Sequence, residues 1–362
     1  MNDTTNTNKL PFEFTGKAGE YFGIWIVNVL LTVVTLTLYT PWAKVRTRRY
    51  FYGNTLLDNS AFDYTAEPWA LLKGYLVALG FFILYYMGTN FYPLLLPILM
   101  LVFLMAMPWL VVRSMMFNAF HSVYRNMRFS FKKNYGGAAA VFIGWPLLMP
   151  LTLGLIFPFI QFKQKKFFVE NSSFGQSEFK FHATPGGFYK VYWLIMLFVV
   201  LGVIGMIAAI AIPAYHNYVE QARMGQMMYG RFINAADDPG IMMLSMAISQ
   251  IATLLFYIGI FAYIQARVGN LVWNNVELAS NRFESKLRAR DLFWIFFSNI
   301  FMIVISFGLL IPWARVRMAK YRASKLSMLA VGDLNGFIKS EQDQVGATGD
   351  QVGEMFDMDI GL

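Results

Sequence analysis

The sequence predicts a polytopic α-helical membrane protein built from internal repeats, with short β-hairpins at the cytoplasmic membrane face. Three observations predict it. The 362-residue chain is 57% hydrophobic and 14% charged, with mean hydropathy +0.47, whereas soluble domains carry roughly 25% charged residues. Four runs, Trp69–Tyr86, Leu94–Val112, Trp193–Ile212 and Ile241–Ile264, are almost free of charge and approach the ~20 residues that a helix needs to cross ~30 Å of hydrocarbon. Self-similarity is the third: Pro41, Tyr50, Asn54, Phe62 and Pro68 recur in step as Pro158, Phe167, Asn171, Phe179 and Pro185. A further copy sets Pro312-Trp-Ala-Arg-Val-Arg317 on Pro41-Trp-Ala-Lys-Val-Arg46, and Asn299 on Asn28. Repeats are sought before a fold is assigned, because they decide the architecture.

Taken in order, residues 1–11 are polar and read as a disordered N-terminus without a cleavable signal core. A repeat-built transmembrane domain follows over 12–326, its repeats roughly 12–118, 127–270 and 275–326. Within it, Tyr21–Tyr39, Ala138–Phe157 and Leu292–Ile311 are apolar and flanked at both ends by Lys or Arg. Positive charge marks the cytoplasmic side, so each run is expected to enter the membrane and return as a re-entrant hairpin, turning near Thr35-Leu-Thr37, Gly154 and Gly308. Irregular backbone at that depth needs protein cover, so the three hairpins are expected to pack together. The other reading makes them ordinary spans, seven in all. The loop Met87–Pro93 is uncharged and is placed outside, with both termini inside.

The polar joints carry a smaller pattern. Asn54 and Phe62, His121 and Phe129, Asn171 and Phe179, and Asn275 and Phe283 are equally spaced, with Asp58-Asn59, Arg125-Asn126, Gly175-Gln176 and Ala279-Ser280 midway. Alternating residues around such pairs read as β-hairpins. Four hairpins and Phe12–Phe14 are expected to form a cytoplasmic sheet, and strands so short need a covering layer. The tail 327–362 holds seven acids and one base, so the rest of the chain carries +15 against a net charge of +9. Disorder is the expectation for its composition, with docking of its apolar end on the basic face as the other outcome.

Chemistry is thinly signalled. Cysteine is absent and the histidines His121, His182 and His216 are scattered, so neither a metal nor a cofactor is expected. No nucleophile elbow or phosphate-cradling loop appears in the required context, and no enzyme is expected. The Pro-Trp motifs nominate Trp42, Lys44, Arg46, Trp313, Arg315 and Arg317 as a lipid or interface site, because indoles sit at the headgroup level and long cations snorkel to it. Asn28 and Asn299 are candidate intramembrane polar residues, either bridging helices or lining a path. The expected partners are anionic membrane lipids, with self-association and the pilus machinery as further candidates and nucleic acid excluded. Two function classes follow: a non-enzymatic membrane-organising or lipid-binding scaffold, and a passive channel or transporter lined by the proline-turned hairpins.

Thr35-Leu-Thr-Leu-Tyr-Thr-Pro-Trp-Ala-Lys-Val-Arg46, Trp273-Asn-Asn-Val276, Gly308-Leu-Leu-Ile-Pro-Trp-Ala-Arg-Val-Arg317 and the closing Phe356-Asp-Met-Asp-Ile-Gly-Leu362 resemble the YjgN family of bacterial inner-membrane proteins. The resemblance runs from Phe12 to Leu362. It implies an inner-membrane location and this architecture, and, since the family's domain has no known function, no catalytic residues. Separately, Leu201–Arg223 resembles the amino-terminal helix of type IV pilins. It is internal, however, with Val191 where a processed pilin has Gly and Met196 where pilins carry a buried Glu.

Overall fold

Where each helix returns to the polar side, its last residue both caps it and fastens a strand. The amides of Asn54, Asn171 and Asn275 donate back to the carbonyls of Tyr50, Phe167 and Leu271 at 2.8, 2.7 and 2.8 Å. Their own carbonyls accept from Thr15, Lys132 and His182 N–H at 2.9, 2.8 and 2.9 Å, and those of His121 and Lys325 serve Thr65 and Lys286 alike, both at 2.9 Å. Backbone groups at a helix end need such partners. The recurrent Asn is therefore a cap, and the chain leaves it as a strand.

The computed structural model describes residues 7–198 and 239–348, with 200, 201, 204 and 212 besides. Ten strands form: β1 Thr7–Phe14, β2 Thr55–Leu57, β3 Ser60–Tyr64, β4 Ser122–Tyr124, β5 Met127–Phe131, β6 Ser172–Phe174, β7 Ser177–Phe181, β8 Val276–Leu278, β9 Asn281–Ser285 and β10 Leu326–Val331. Each strand pairs antiparallel with its sequence neighbours, and β1 pairs with β10 to close a barrel. β1 does this by halves, Thr7 to Pro11 facing β10 and Phe12 to Phe14 facing β2. The turns match the expected pairs: Asp58 and Asn59 have φ 48° and 56°, Arg125 and Asn126 47° and 63°, as a two-residue hairpin loop requires. Alternation turns one side chain in two to the lumen, so Phe12, Phe62 and Tyr124 stack there, with centroids 6.2 and 4.6 Å apart.

Helices are inserted between the strands. After β1 come α1 (Ala18–Val34) and α2 (Thr40–Gly53); after β3, α3 (Pro68–Phe91) and α4 (Leu95–Phe120). After β5 come α5 (Tyr135–Leu147), with a π-helical stretch at Ala140–Gly144, and α6 (Phe157–Glu170). A helix α7 starts at 185 and is described to 198; α8 (Pro239–Trp273) leads into β8. After β9 come α9 (Ala289–Ile305) and α10 (Ile311–Ser324), and after β10, α11 (Leu334–Thr348). Three helical hairpins result, α1–α2, α5–α6 and α9–α10, with one turn geometry. Leu36-Thr37, Leu153-Gly154 and Phe307-Gly308 all have positive φ. The second N–H of each pair returns to Thr32, Met149 or Ile303 carbonyl at 2.7, 2.9 or 2.8 Å, a Schellman-type closure. Pro41, Pro158 and Pro312 open the second arms and are buried, which costs no amide because proline has none.

The predicted fold class is overturned by two findings. The short hairpins do not lie as a sheet on a helical protein assembled from repeats; they close into a ten-stranded antiparallel barrel from which the helices project. Among the described residues only three helices, Pro68–Phe91, Leu95–Phe120 and Met246–Trp273, are long and apolar enough to cross a membrane. Closure escaped the sequence because it joins opposite ends of the chain: residues 7–11 read as disordered and Leu326–Val331 straddles the expected start of the tail. The three helical hairpins do not gather together either. α1 packs on α10, whereas α5 packs on α4. Trp193–Ile212 lies half, and Leu201–Arg223, His216 and Met355–Leu362 almost or wholly, outside the described residues.

Against the expected disorder, the described residues of the tail beyond β10 form α11. Leu334 and Ile338 are buried in the barrel core and Phe337 stacks on Phe174 at 6.5 Å, so composition misled where one apolar helix face decided. The Glu341 carboxylate, 5% exposed, accepts from the Gln176 and Ser177 N–H groups at 2.7 and 3.2 Å and from the Ser177 hydroxyl at 2.6 Å. Arg125 pairs with Asp58 and donates to Asn335, each at 2.6 Å. Thus α11 lies across the turn end of the barrel.

Two outcomes are expected. A methyl added at Gly154 meets nothing within 4 Å, and at Gly308 only Ile311 Cδ1 at 3.6 Å. Gly154→Ala and Gly308→Ala should therefore each lose about 1–2 kcal/mol from backbone strain alone, read as a lower thermal midpoint in detergent. Hydrogen bonds from Lys286 and Lys9 hold the Glu284 carboxyl below its ordinary range. Its stabilisation is complete above about pH 4.3 and is lost as pH falls through the lowered folded value. Urea titrations on that acid limb should show a shallower loss of stability in Glu284→Gln than in the parent chain.

Candidate functional site

Helical spacing builds the site. On α1, Trp25, Asn28, Val29, Thr32 and Val33 fall on one face, and on α2 so do Thr40, Ala43, Lys44, Thr47 and Arg48, since residues three and four apart are neighbours. The two faces form the walls of a groove of about 400 Å³, and Arg315 enters it from α10. Among the described residues three cations line it and no carboxylate does. Lys44 and Arg315 are exposed. Above them the walls are apolar: Val29 and Val33 are exposed, and Trp25 half-buried.

The cations are aimed by neutral partners. Arg48 Nη1 donates to the Tyr64 hydroxyl at 2.6 Å and also to Asn118 Oδ1, with its guanidinium 5.2 Å from the Tyr64 ring centre. Burial pushes the Tyr64 phenol above its ordinary value while Arg48 pulls the other way, so Tyr64 stays a neutral acceptor. Arg315 Nη1 donates to the buried Tyr21 hydroxyl at 3.0 Å. Positive charge held without a counter-carboxylate is available to an anion.

The expected site residues are thus only partly brought together. Lys44 and Arg315, from different Pro-Trp motifs, share the groove with Asn28. Trp42 instead joins Tyr39 and Trp69, with centroids 5.9 and 5.0 Å away. Arg46 and Arg317 turn to the asparagines of their own hairpins. Arg317 Nη1 donates to Asn299 Oδ1 at 3.1 Å and Ser298 Oγ at 2.6 Å, and its guanidinium lies 5.1 Å from the Trp313 ring. Arg46 Nη1 reaches Asn28 Oδ1 at 3.5 Å, the outer limit of a hydrogen bond. In the middle hairpin Lys163 lies 5.8 Å from the Trp145 ring instead. Asn28 and Asn299, 5% and 7% exposed, are arm-to-arm ties. Arg48 was missed although its spacing from Lys44 on one helix face signalled it; Tyr21 and Tyr64 gave no such sign.

Loss of the tie at 3.1 Å should exceed loss of the tie at 3.5 Å. Asn299→Leu is expected to cost about 1.5–3 kcal/mol, the worth of a hydrogen bond to a charged group, and Asn28→Leu less. Double-mutant cycles with Arg317→Met and Arg46→Met, read by urea unfolding, would measure the two couplings.

Two relatives match over most of the chain, both named "Inner membrane protein YjgN". The one from Salmonella typhimurium is 25% identical, covering 89% of this chain and 88% of the relative. The one from Escherichia coli O157:H7 is 24% identical, covering 92% of each. A third, from Escherichia coli K12, is 30% identical over 40% of this chain and 37% of its own length. No solved structure matches the chain. Residues 9–355 match the family described as bacterial protein of unknown function (DUF898), and the chain belongs to that family.

Proposed function

We propose that this is an inner-membrane protein whose α1–α2–α10 groove binds anionic phospholipid headgroups, acting as a non-enzymatic lipid-binding scaffold. The observation that carries this reading is the convergence of Lys44, Arg48 and Arg315 beneath apolar walls, with no acid among the described residues of the lining. A headgroup phosphate meets the cations while its acyl chains follow Val29 and Val33, an arrangement that matches the layering of a bilayer surface.

Supporting it, the relatives are named inner membrane proteins, and three helices have membrane length. α3 leaves β3, and α4 and the long helix α8 run into β4 and β8, so the barrel stands on one side of the bilayer. That side is the cytoplasmic one, with both termini there, a reading supported by the basic joints. The hairpin tips Leu36, Leu153 and Phe307 are 84%, 70% and 96% exposed, and such side chains belong in hydrocarbon. α1 has 17 residues and is therefore about 26 Å long. The hairpins accordingly dip into the membrane and return. No such observation favours the channel reading, because α5–α6 packs away from the other two hairpins.

The test is native mass spectrometry of the full chain with phosphatidylglycerol or phosphatidylcholine. Lys44→Gln combined with Arg315→Gln should weaken phosphatidylglycerol about 30-fold, at ~1 kcal/mol per cation near the surface, and leave phosphatidylcholine unchanged. Equal retention of phosphatidylglycerol by the variant would sink the reading. Liposome solute flux that disappears in Asn28→Leu and Asn299→Leu would replace it with the channel.

A further inference from the structure

The barrel lumen widens at its helix end into a cavity of about 750 Å³, within the ~300–1,000 Å³ of small-molecule sites. Its inner wall is aromatic, with Phe12, Phe62 and Phe129 contributed by three strands, and its mouth is helical, with Gln265 on α8 and Arg322 on α10. Three features define what it takes. The turn end of the barrel is covered by α11, through Leu334, Phe337 and Ile338 packed on the core. The space is therefore a pocket with one mouth.

The second feature is which polar groups are committed. Hydroxyls in the lining already donate within the protein, Ser122 to the Asn118 carbonyl at 2.7 Å, Ser172 to the Phe168 carbonyl at 2.7 Å and Ser285 to Asn270 Oδ1 at 2.8 Å. Gln265 and Arg322 have no side-chain partner among the described residues. The third is charge: among the described residues Arg322 is the one ionised side chain in the lining, and no carboxylate there opposes it.

We propose that this cavity binds a single-chain amphiphile with one anionic head, of the long-chain carboxylate class. The carboxylate accepts from the Arg322 guanidinium and the Gln265 amide at the helical mouth. The chain lies along the phenylalanines of the lumen, where aromatic and apolar surface leaves water. One cation admits one anionic head, and a single blind lumen admits one chain. This site is separate from the groove of Lys44, Arg48 and Arg315, with which it shares no lining residue.

The probe is palmitate with a diazirine on its chain, irradiated with the purified full chain in zwitterionic nanodiscs, and adducts mapped by peptide mass spectrometry. Adducts are expected on the lumen strands around Phe62 and Phe129. Arg322→Gln should cut them about tenfold, the loss of one charge-assisted hydrogen bond. Ala319→Trp, which fills the cavity wall, should abolish them. Lys44→Gln with Arg315→Gln should leave them unchanged, so this inference and the headgroup groove fail separately. Thermal midpoints establish that the variants fold. Should either fail to fold, competition on the parent chain decides: unlabelled palmitate must displace the probe about tenfold better than hexadecanol. Adducts confined to the outward faces of α3 and α4, labelling indifferent to both folded variants, or equal competition by hexadecanol would each overturn the proposal.

Discussion

Everything in this molecule hangs on the pairing of β1 with β10. Four of the ten strands are three residues long, and strands of that length hold no sheet by themselves. Closing the ring removes every edge, so each strand is paired on both sides and the short pairings become cooperative. The ends of the chain supply the last seam, five residue pairs from Thr7–Val331 to Pro11–Ser327. Lys9 reaches past β10 to Glu284, which Lys286 also holds at 2.7 Å. The seam is thus locked by charge as well as by backbone.

A ring of this kind fixes where helices leave and return. The cap residues Asn54, His121, Asn171, Asn275 and Lys325 each give a carbonyl to the neighbouring strand exit, so α1 to α10 are rooted at the same barrel end, opposite the turn end that α11 covers. From that common root two features arise. Hairpins α1–α2 and α9–α10 pack side by side, which places cations of different segments in one groove. The helices also surround the barrel mouth, which extends the lumen into a cavity walled by both kinds of element. Neither space exists in any one segment.

Three arginines of the packed hairpins and their barrel root meet neutral partners rather than carboxylates. Arg317 takes Asn299 and Ser298, Arg48 takes Tyr64 and Asn118, and Arg315 takes Tyr21. Neutral partners satisfy hydrogen bonds without cancelling charge, which leaves a positive field at the groove. The acids that tie barrel parts together lie elsewhere, Asp58 in the β2–β3 turn, Glu284 on β9 and Glu341 on α11.

Local physics was legible in the sequence. Hydrophobic runs gave the helices α3, α4 and α8, and evenly spaced Asn and Phe with a turn pair between them gave four hairpins at their correct turns. Prolines and the Gly154 and Gly308 positions gave the helical turns, because left-handed backbone and a missing amide are written in residue type. The Pro-Trp cations were legible as candidates, but their division was not. Arg46 and Arg317 belong to arm-to-arm ties and Lys44 and Arg315 to the groove, a difference set by which helix face meets α10. Only tertiary structure decided that the hairpins close into a barrel, that an acidic tail covers it through Leu334, Phe337 and Ile338, and that two hairpins pair while the third stands against α4. The reason is the same in each case: these contacts join residues far apart in the chain, and no local preference records a partner that lies a whole chain away.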